Sequence, residues 1–159
     1  MTLRVGLGFD VHAFGGDGAL VLGGVTIPDA TGLVGHSDAD VIAHAVADAL
    51  LGAAGLPDLG ALYPASDDRY RGASSVVLLR EVAHKVADAG WRVTNVDVVV
   101  AAEAPQLAPH VAAMATTLAE SIDAPASVKP KRTEGVGAVG RGEGIAAWAV
   151  ALLESIDSS

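Results

Sequence analysis

A chain of 159 residues, 51% of them hydrophobic and none cysteine, can bury one core without disulfides, and it leaves only His, Asp and Glu as metal ligands. Its net charge of −9 argues against a general binder of nucleic acid or of anionic membranes. No apolar run approaches the roughly 20 residues that span a bilayer, and the start MTLRVGLGFD lacks the regions of a signal peptide, so one domain over residues 1–159 of a soluble cytoplasmic protein is expected.

The elements follow in chain order. Leu3, Val5, Leu7 and Phe9 alternate as in a strand, and ALVLGGVTIP (19–28) reads as a hairpin around Gly23-Gly24. Residues 36–58, HSDADVIAHAVADALLGAAGLPD, carry Val41, Ile42, Ala45, Val46, Ala49 and Leu50 at helical spacing. Ser37 with Asp40 resembles a capping box there, and Gly55 and Pro57 close the segment. A second amphipathic helix covers 74–90, a strand 91–102, a third helix 109–123 and a strand 126–132. GIAAWAVALL (144–153) fits either a buried strand or a short helix. Strands and helices interleave, but with hairpins, which favours a mixed-sheet α+β domain over a doubly wound one.

The charge is unevenly spread. No Lys or Arg occurs between Arg4 and Arg69, while Lys129, Lys131, Arg132 and Arg141 crowd into 129–141. An anionic ligand of the first half would have to be met by backbone amides or a bound cation. Asp10 and His12, two apart on an extended strand, point to one side, and His44 on the following helix is a plausible third ligand. One carboxylate and two imidazoles suit Zn²⁺ with an open fourth position. The spacing alone leaves a second reading open, since Asp-x-His also decorates ordinary strand ends. Gly35, His36 and Ser37 are expected where the helix begins, where free amides and the positive dipole end favour an anion.

GFDVHAF, GHSDADVIAHAVADALLGAAGLPDLG, EAPQLAPH and GRGEGIAA together resemble the 2-C-methyl-D-erythritol 2,4-cyclodiphosphate synthase family, over essentially the whole chain and in the same order. The resemblance implies an α+β domain with a mixed four-stranded sheet covered by helices on one face, plus a small hairpin, assembling as a homotrimer with active sites between subunits. It implies Zn²⁺ on Asp10, His12 and His44, and Mg²⁺ or Mn²⁺ on the substrate diphosphate with Glu134 as its protein ligand. The implied substrate is 4-diphosphocytidyl-2-C-methyl-D-erythritol 2-phosphate, whose 2-phosphate attacks the β-phosphorus and expels CMP.

Carried over position by position, the resemblance puts His36 and Ser37 on the substrate's phosphates, with His36 assisting the transition state. It puts Asp58 and Gly60 on the methylerythritol hydroxyls, and Ala102, Ala104, Pro105 and Leu107 around the cytidine. Thr133 and Glu134 belong to the phosphate-binding loop. Arg141 matches an arginine near the trimer axis, where some members bind an isoprenoid diphosphate in a central cavity. Arg132 stands where a loop threonine normally helps stabilise the transition state. Ala65 replaces an aspartate that commonly faces the sugar, leaving Asp67 as the nearest matching acid. Ala138 and Trp148 replace a bulky apolar and an acidic residue near the axis, which weakens the implied isoprenoid site. A non-catalytic trimeric metal- and nucleotide-binding protein on the same fold is the alternative, decided by CMP release. A mononuclear iron oxygenase fits the ligand set but not the phosphate-binding surroundings.

Overall fold

In the computed structural model, which describes residues 1–156, the chain opens with a strand, β1, running Leu3–Leu22. It turns at Gly23 and Gly24, both at positive φ, into β2 (Val25–Leu33). Helix α1 (Val41–Ala54), a single-turn α2 (Leu59–Leu62) and α3 (Ser75–Asp88) follow. Then come β3 (Trp91–Ala101), α4 (Val111–Ile122), β4 (Ala126–Lys131), a single-turn α5 (Gly137–Gly140) and β5 (Gly144–Ser155).

The strands form one five-stranded sheet in the order β2-β1-β5-β3-β4, with only β3 and β4 parallel. This corrects the expected four strands plus a separate hairpin. β1 does not stop near Phe9 but continues for 20 residues, through the glycines at 15, 16 and 18, so its far end pairs with β2 and carries the hairpin as the sheet's edge. Residues 144–153 resolve to strand, because β5 is central and pairs on both sides, with β1 and β3.

Helices cover one face. Gly6 and Gly8 of β1 point at α1 so closely that a Cβ there would lie 1.9 and 1.8 Å from the Ala49 and Ala45 carbonyl oxygens. Ala45, Ala49 and Ala53 on the helix side keep the approach tight, and Val46, Leu50, Leu79, Val98, Met114 and Leu118 fill the shared core. The other face of the sheet carries Leu3, Val5, Leu7, Phe9, Val11, Trp148 and Val150, all exposed, with the Phe9 and Trp148 rings 5.2 Å apart. No helix among the described residues is long and apolar enough to cross a membrane.

Helix α1 starts at Val41, five residues later than its expected start at His36, because Asp40 rather than Ser37 is its cap. The fully buried Asp40 carboxylate accepts from Ile42 N and Ala43 N at 3.2 and 3.1 Å, and from Gly23 N and Gly24 N at 2.8 and 2.7 Å. It latches the β1–β2 turn onto the helix. The first amides of α1 are therefore spent on Asp40, and Gly35, His36 and Ser37 lie in the preceding loop rather than at the helix mouth.

Candidate functional site

The close packing of β1 on α1 places one cluster directly. Gly6, Gly8, Asp10 and His12 alternate on the α1-facing side of β1, and His44 precedes Ala45, the residue against Gly8. Asp10 Oδ2 lies 2.9 Å from both His12 Nε2 and His44 Nδ1, and the two ring nitrogens are 3.3 Å apart. That nitrogen spacing is what tetrahedral geometry asks of two imidazoles on a zinc ion, about 3.3 Å for Zn–N bonds near 2.05 Å. These three are the group of potential metal ligands that converges among the described residues.

The rings are fixed from behind. His12 Nδ1 donates to the Val34 carbonyl at 2.8 Å, leaving Nε2 facing Asp10. His44 Nε2 meets Ser75 Oγ at 2.8 Å and Ser37 Oγ at 3.1 Å, while Nδ1 faces Asp10. Burial alone would push the Asp10 carboxyl up, yet hydrogen bonds from His12 and His44 outweigh it and hold the group well below the usual carboxylate range. The hydrogen bond to Asp10 raises His12, against the opposing effect of its own burial.

The cluster opens into a cavity of about 260 Å³ that His36, Ser37, Asp48, Gly60, Tyr63, Ala65 and Tyr70 also line. His36 is pinned by its backbone carbonyl, which accepts from Gly72 N at 2.8 Å, and by Nε2–H donating to the Asp67 carbonyl at 3.0 Å. Asp58 caps α2 through Ala61 N at 2.8 Å beside the lining Gly60. The Asp67 carboxylate does not face the cavity. Arg69 takes it in an ion pair of 2.6 Å that keeps its pKa low, so the acid proposed to stand in for Ala65 offers the site only its carbonyl.

The remaining expected residues gather elsewhere. Ala102, Pro105, Leu107 and Arg132 line a second cavity of about 270 Å³ at the C-terminal ends of β3 and β4, and Ala104 lines a neighbouring one. Glu103, absent from the sequence-based set, joins this corner together. Its Oε1 accepts from Thr133 N at 2.7 Å and Thr133 Oγ1 at 3.0 Å, and Oε2 faces Arg132 Nη2 at 3.3 Å. Burial opposes the charge on Glu103, but these donors hold its carboxyl below the ordinary range. Neither Arg132, Thr133 nor Glu134 lines the Asp10 cavity. Glu134 is exposed at a φ of 55°, and Arg141 turns to Glu143 at 2.6 Å. Among the described residues the chain thus carries two separated halves. That Ser75, Asp38 and Glu103 join these clusters was not legible in the sequence, because their contacts there bridge 31, 37 and 30 residues.

The fold and the Asp10 cavity define an α+β protein with a carboxylate and two imidazoles in an arrangement suited to a metal ion, beside a cavity of about 260 Å³. A family model described as the YgbB family matches residues 3–154, and the chain belongs to that family. It is 52% identical over 157 residues to a 2-C-methyl-D-erythritol 2,4-cyclodiphosphate synthase of Marinobacter nauticus, covering 97% of this chain and 99% of that protein. The bifunctional IspDF from Campylobacter jejuni superposes with a TM-score of 0.94 at 41% identity, covering 98% of this chain; the chain spans 43% of that longer protein. A CDP complex of IspF from Plasmodium falciparum superposes with a TM-score of 0.83 at 28% identity, covering 98% of this chain and 97% of that one.

Proposed function

We propose that this chain converts 4-diphosphocytidyl-2-C-methyl-D-erythritol 2-phosphate into 2-C-methyl-D-erythritol 2,4-cyclodiphosphate and CMP, as a phosphorus–oxygen lyase of non-mevalonate isoprenoid synthesis. The observation that carries this reading is the convergence of Asp10, His12 and His44 on one cavity in a chain of this family. The 2-phosphate oxygen bonds to the β-phosphorus, the bond from that phosphorus to the α-phosphate oxygen breaks, and CMP departs. Nucleophile and electrophile belong to one molecule, so holding the substrate folded supplies much of the rate. The rest is charge neutralisation.

Asp10, His12 and His44 would hold Zn²⁺, which when bound supplies Lewis-acid neutralisation of phosphate charge. His36, with Nε2–H spent on the Asp67 carbonyl, meets a phosphate oxygen through Nδ1 and donates there only as an imidazolium. Ser37 adds a hydroxyl on the same wall, and Asp58 and Gly60 take the sugar hydroxyls. Their position beside a cavity with no lysine or arginine fits the sequence gap in basic residues.

The second half supplies the cytidine pocket from Ala102, Ala104, Pro105 and Leu107, whose backbone groups read the base edge. Thr133 and Arg132 reach the phosphates, and Glu134 would hold Mg²⁺ or Mn²⁺ on the diphosphate. This half comes from a neighbouring copy in a homotrimer. The exposed apolar sheet face from Leu3 to Val11 with Trp148 and Val150 supports such an assembly, since a contiguous apolar surface of this kind marks an interface. Arg141, near the proposed axis, is the residue through which an isoprenoid diphosphate would be held in a central cavity. The CDP bound by the Plasmodium falciparum protein supports a cytidine nucleotide as ligand.

Phosphorus NMR of the purified protein with the diphosphocytidyl substrate, Zn²⁺ and Mg²⁺ tests this. Stoichiometric CMP and a cyclic diphosphate are expected. A metal-loaded protein that binds the substrate without releasing CMP would contradict the reading and leave a binding protein.

A further inference from the structure

We propose that Ser75, backed by Asp38, is a positioning residue that fixes His44 as a ligand through Nδ1; this rests on reading Asp10, His12 and His44 as a metal centre. The His44 ring has two nitrogens with opposite tasks. Nδ1 faces the centre, 2.9 Å from Asp10 Oδ2 and 3.3 Å from His12 Nε2. Nε2 faces away, 2.8 Å from Ser75 Oγ.

The proton positions follow from what each group can do. An ionised carboxylate only accepts hydrogen bonds. Ser75 Oγ is in close contact with Asp38 Oδ1, so the serine proton lies on that contact. The serine oxygen therefore presents a lone pair to His44, which must answer with Nε2–H. Nδ1 is then the nitrogen that a bound metal would take, in place of the hydrogen bond it makes to Asp10 without one.

The hydroxyl has little freedom to do otherwise. Ser75 is 1% exposed at the first turn of α3, and its backbone N–H donates to Asp38 Oδ2 at 3.1 Å. One carboxylate thus grips both the amide and the hydroxyl of Ser75. Ser37 Oγ is a longer partner of Nε2, at 3.1 Å, and is itself engaged by Ala39 N.

His12 shows the same device with the nitrogens exchanged. Its Nδ1–H donates to the Val34 carbonyl and Nε2 is left for the centre. Two rings thus offer opposite nitrogens to one point, each set by an acceptor behind it. A carboxylate or carbonyl behind a ligating histidine orients the ring and raises its basicity. Here the carboxylate acts through a serine, which joins the start of α3 to the centre on α1 and β1.

The test is a Zn²⁺ titration against a competing chelator, using the full chain and its Ser75→Ala, Ser75→Thr and Asp38→Asn variants. It is paired with proton–nitrogen spectra of the histidine rings in the metal-free proteins. Ser75→Ala is expected to weaken zinc binding by about 10- to 100-fold, with a melting temperature close to the parent's. Ser75→Thr, which keeps the hydroxyl, is expected to recover most of that loss. In the metal-free parent, His44 Nε2 is expected to carry a proton protected from exchange, and that protection is lost in Ser75→Ala. Zinc affinity of a folded Ser75→Ala within about twofold of the parent, or a parent His44 with no proton on Nε2, overturns the proposal. Should Ser75→Ala not fold, Asp38→Asn decides: several-fold weaker binding supports the proposal, and parent-like binding overturns it. A parent that binds no zinc defeats the metal reading, while the ring spectra, recorded without metal, still decide the positioning of His44.

Discussion

The Asp10 centre and the Glu103 corner serve one proposed reaction but are held in place by different means. Asp10, His12 and His44 stand on a strand and a helix whose backbones touch, with glycine against alanine at 45 and 49, so the core itself fixes their spacing. Arg132, Thr133 and Glu134 stand beyond the end of β4, and Glu103 ties the first two of these to the end of β3. The first region is held by the core's own packing. The second depends on one side chain and is the half that a neighbouring copy would present.

The contrast can be broken from either side. His44→Ala or Asp10→Ala is expected to abolish zinc binding and lower kcat/KM by at least about a thousandfold, the equivalent of about 4 kcal/mol of lost charge stabilisation. CDP binding at the other corner is expected to persist, as isothermal titration would show. Loss of CDP binding in these variants would mean that the two halves are not separable. Glu103→Ala is expected to act in the opposite sense. With the Thr133 loop untied, kcat/KM falls by about 30-fold while zinc stoichiometry stays at the parent's value, because several hydrogen bonds to a charged group are lost together. Arg132→Ala is expected to cost about tenfold in kcat/KM, the lower end for one charge-assisted contact to a phosphate. As a surface pair with Glu103, at 3.3 Å and with a side chain 68% exposed, Arg132 adds almost nothing to stability. Unchanged kinetics in Arg132→Ala would assign the loop's work to Thr133 alone.

The smallest effect is on pH dependence in the metal-free chain. The pKa of Asp10 is depressed, so its contribution to stability is present above the ordinary carboxylate range and is lost as pH falls through its folded value. The pKa of His12 is raised, so its contribution is complete below 6.5 and is lost as pH rises through its folded value. The pair is expected to stabilise metal-free protein most between roughly pH 4 and 6.5, set by the ordinary values of the two groups. Parent and Asp10→Asn melting temperatures should therefore differ more at pH 6 than at pH 8. Zinc binding is expected to move the other way and strengthen as pH rises through the His12 pKa, because the ligand must lose its proton.

The same division governs what could be read from sequence. The Asp10–His12 spacing, the helix with His44, and the helices α3 and α4 follow from period and neighbours along the chain. The length of β1 did not, because the alternation that marks it runs only from Leu3 to Phe9, while pairing with β2 carries the strand on through Gly15, Gly16 and Gly18. The start of α1 did not, because Asp40 and Ser37 are both good caps, and the β1–β2 turn that selects Asp40 lies 16 and 17 residues away. GIAAWAVALL is strand by virtue of its place between β1 and β3, which no local pattern encodes. Ser75 and Glu103 matter through distant contacts, 31 residues to His44 and 30 to Thr133. Positions set by chain period were legible, and those set by tertiary partners were not.

The division of labour between copies is tested most directly by mixing two inactive variants, His44→Ala and Glu103→Ala combined with Thr133→Ala, then dissociating and reassembling them together. If one subunit's metal half works with its neighbour's loop half, every mixed trimer holds one intact site. Random reassembly at equal amounts then restores about a quarter of the parent activity, since three-quarters of the trimers are mixed and each has one good site in three. No recovery in trimers shown by mass spectrometry to be mixed would contradict a site shared between copies.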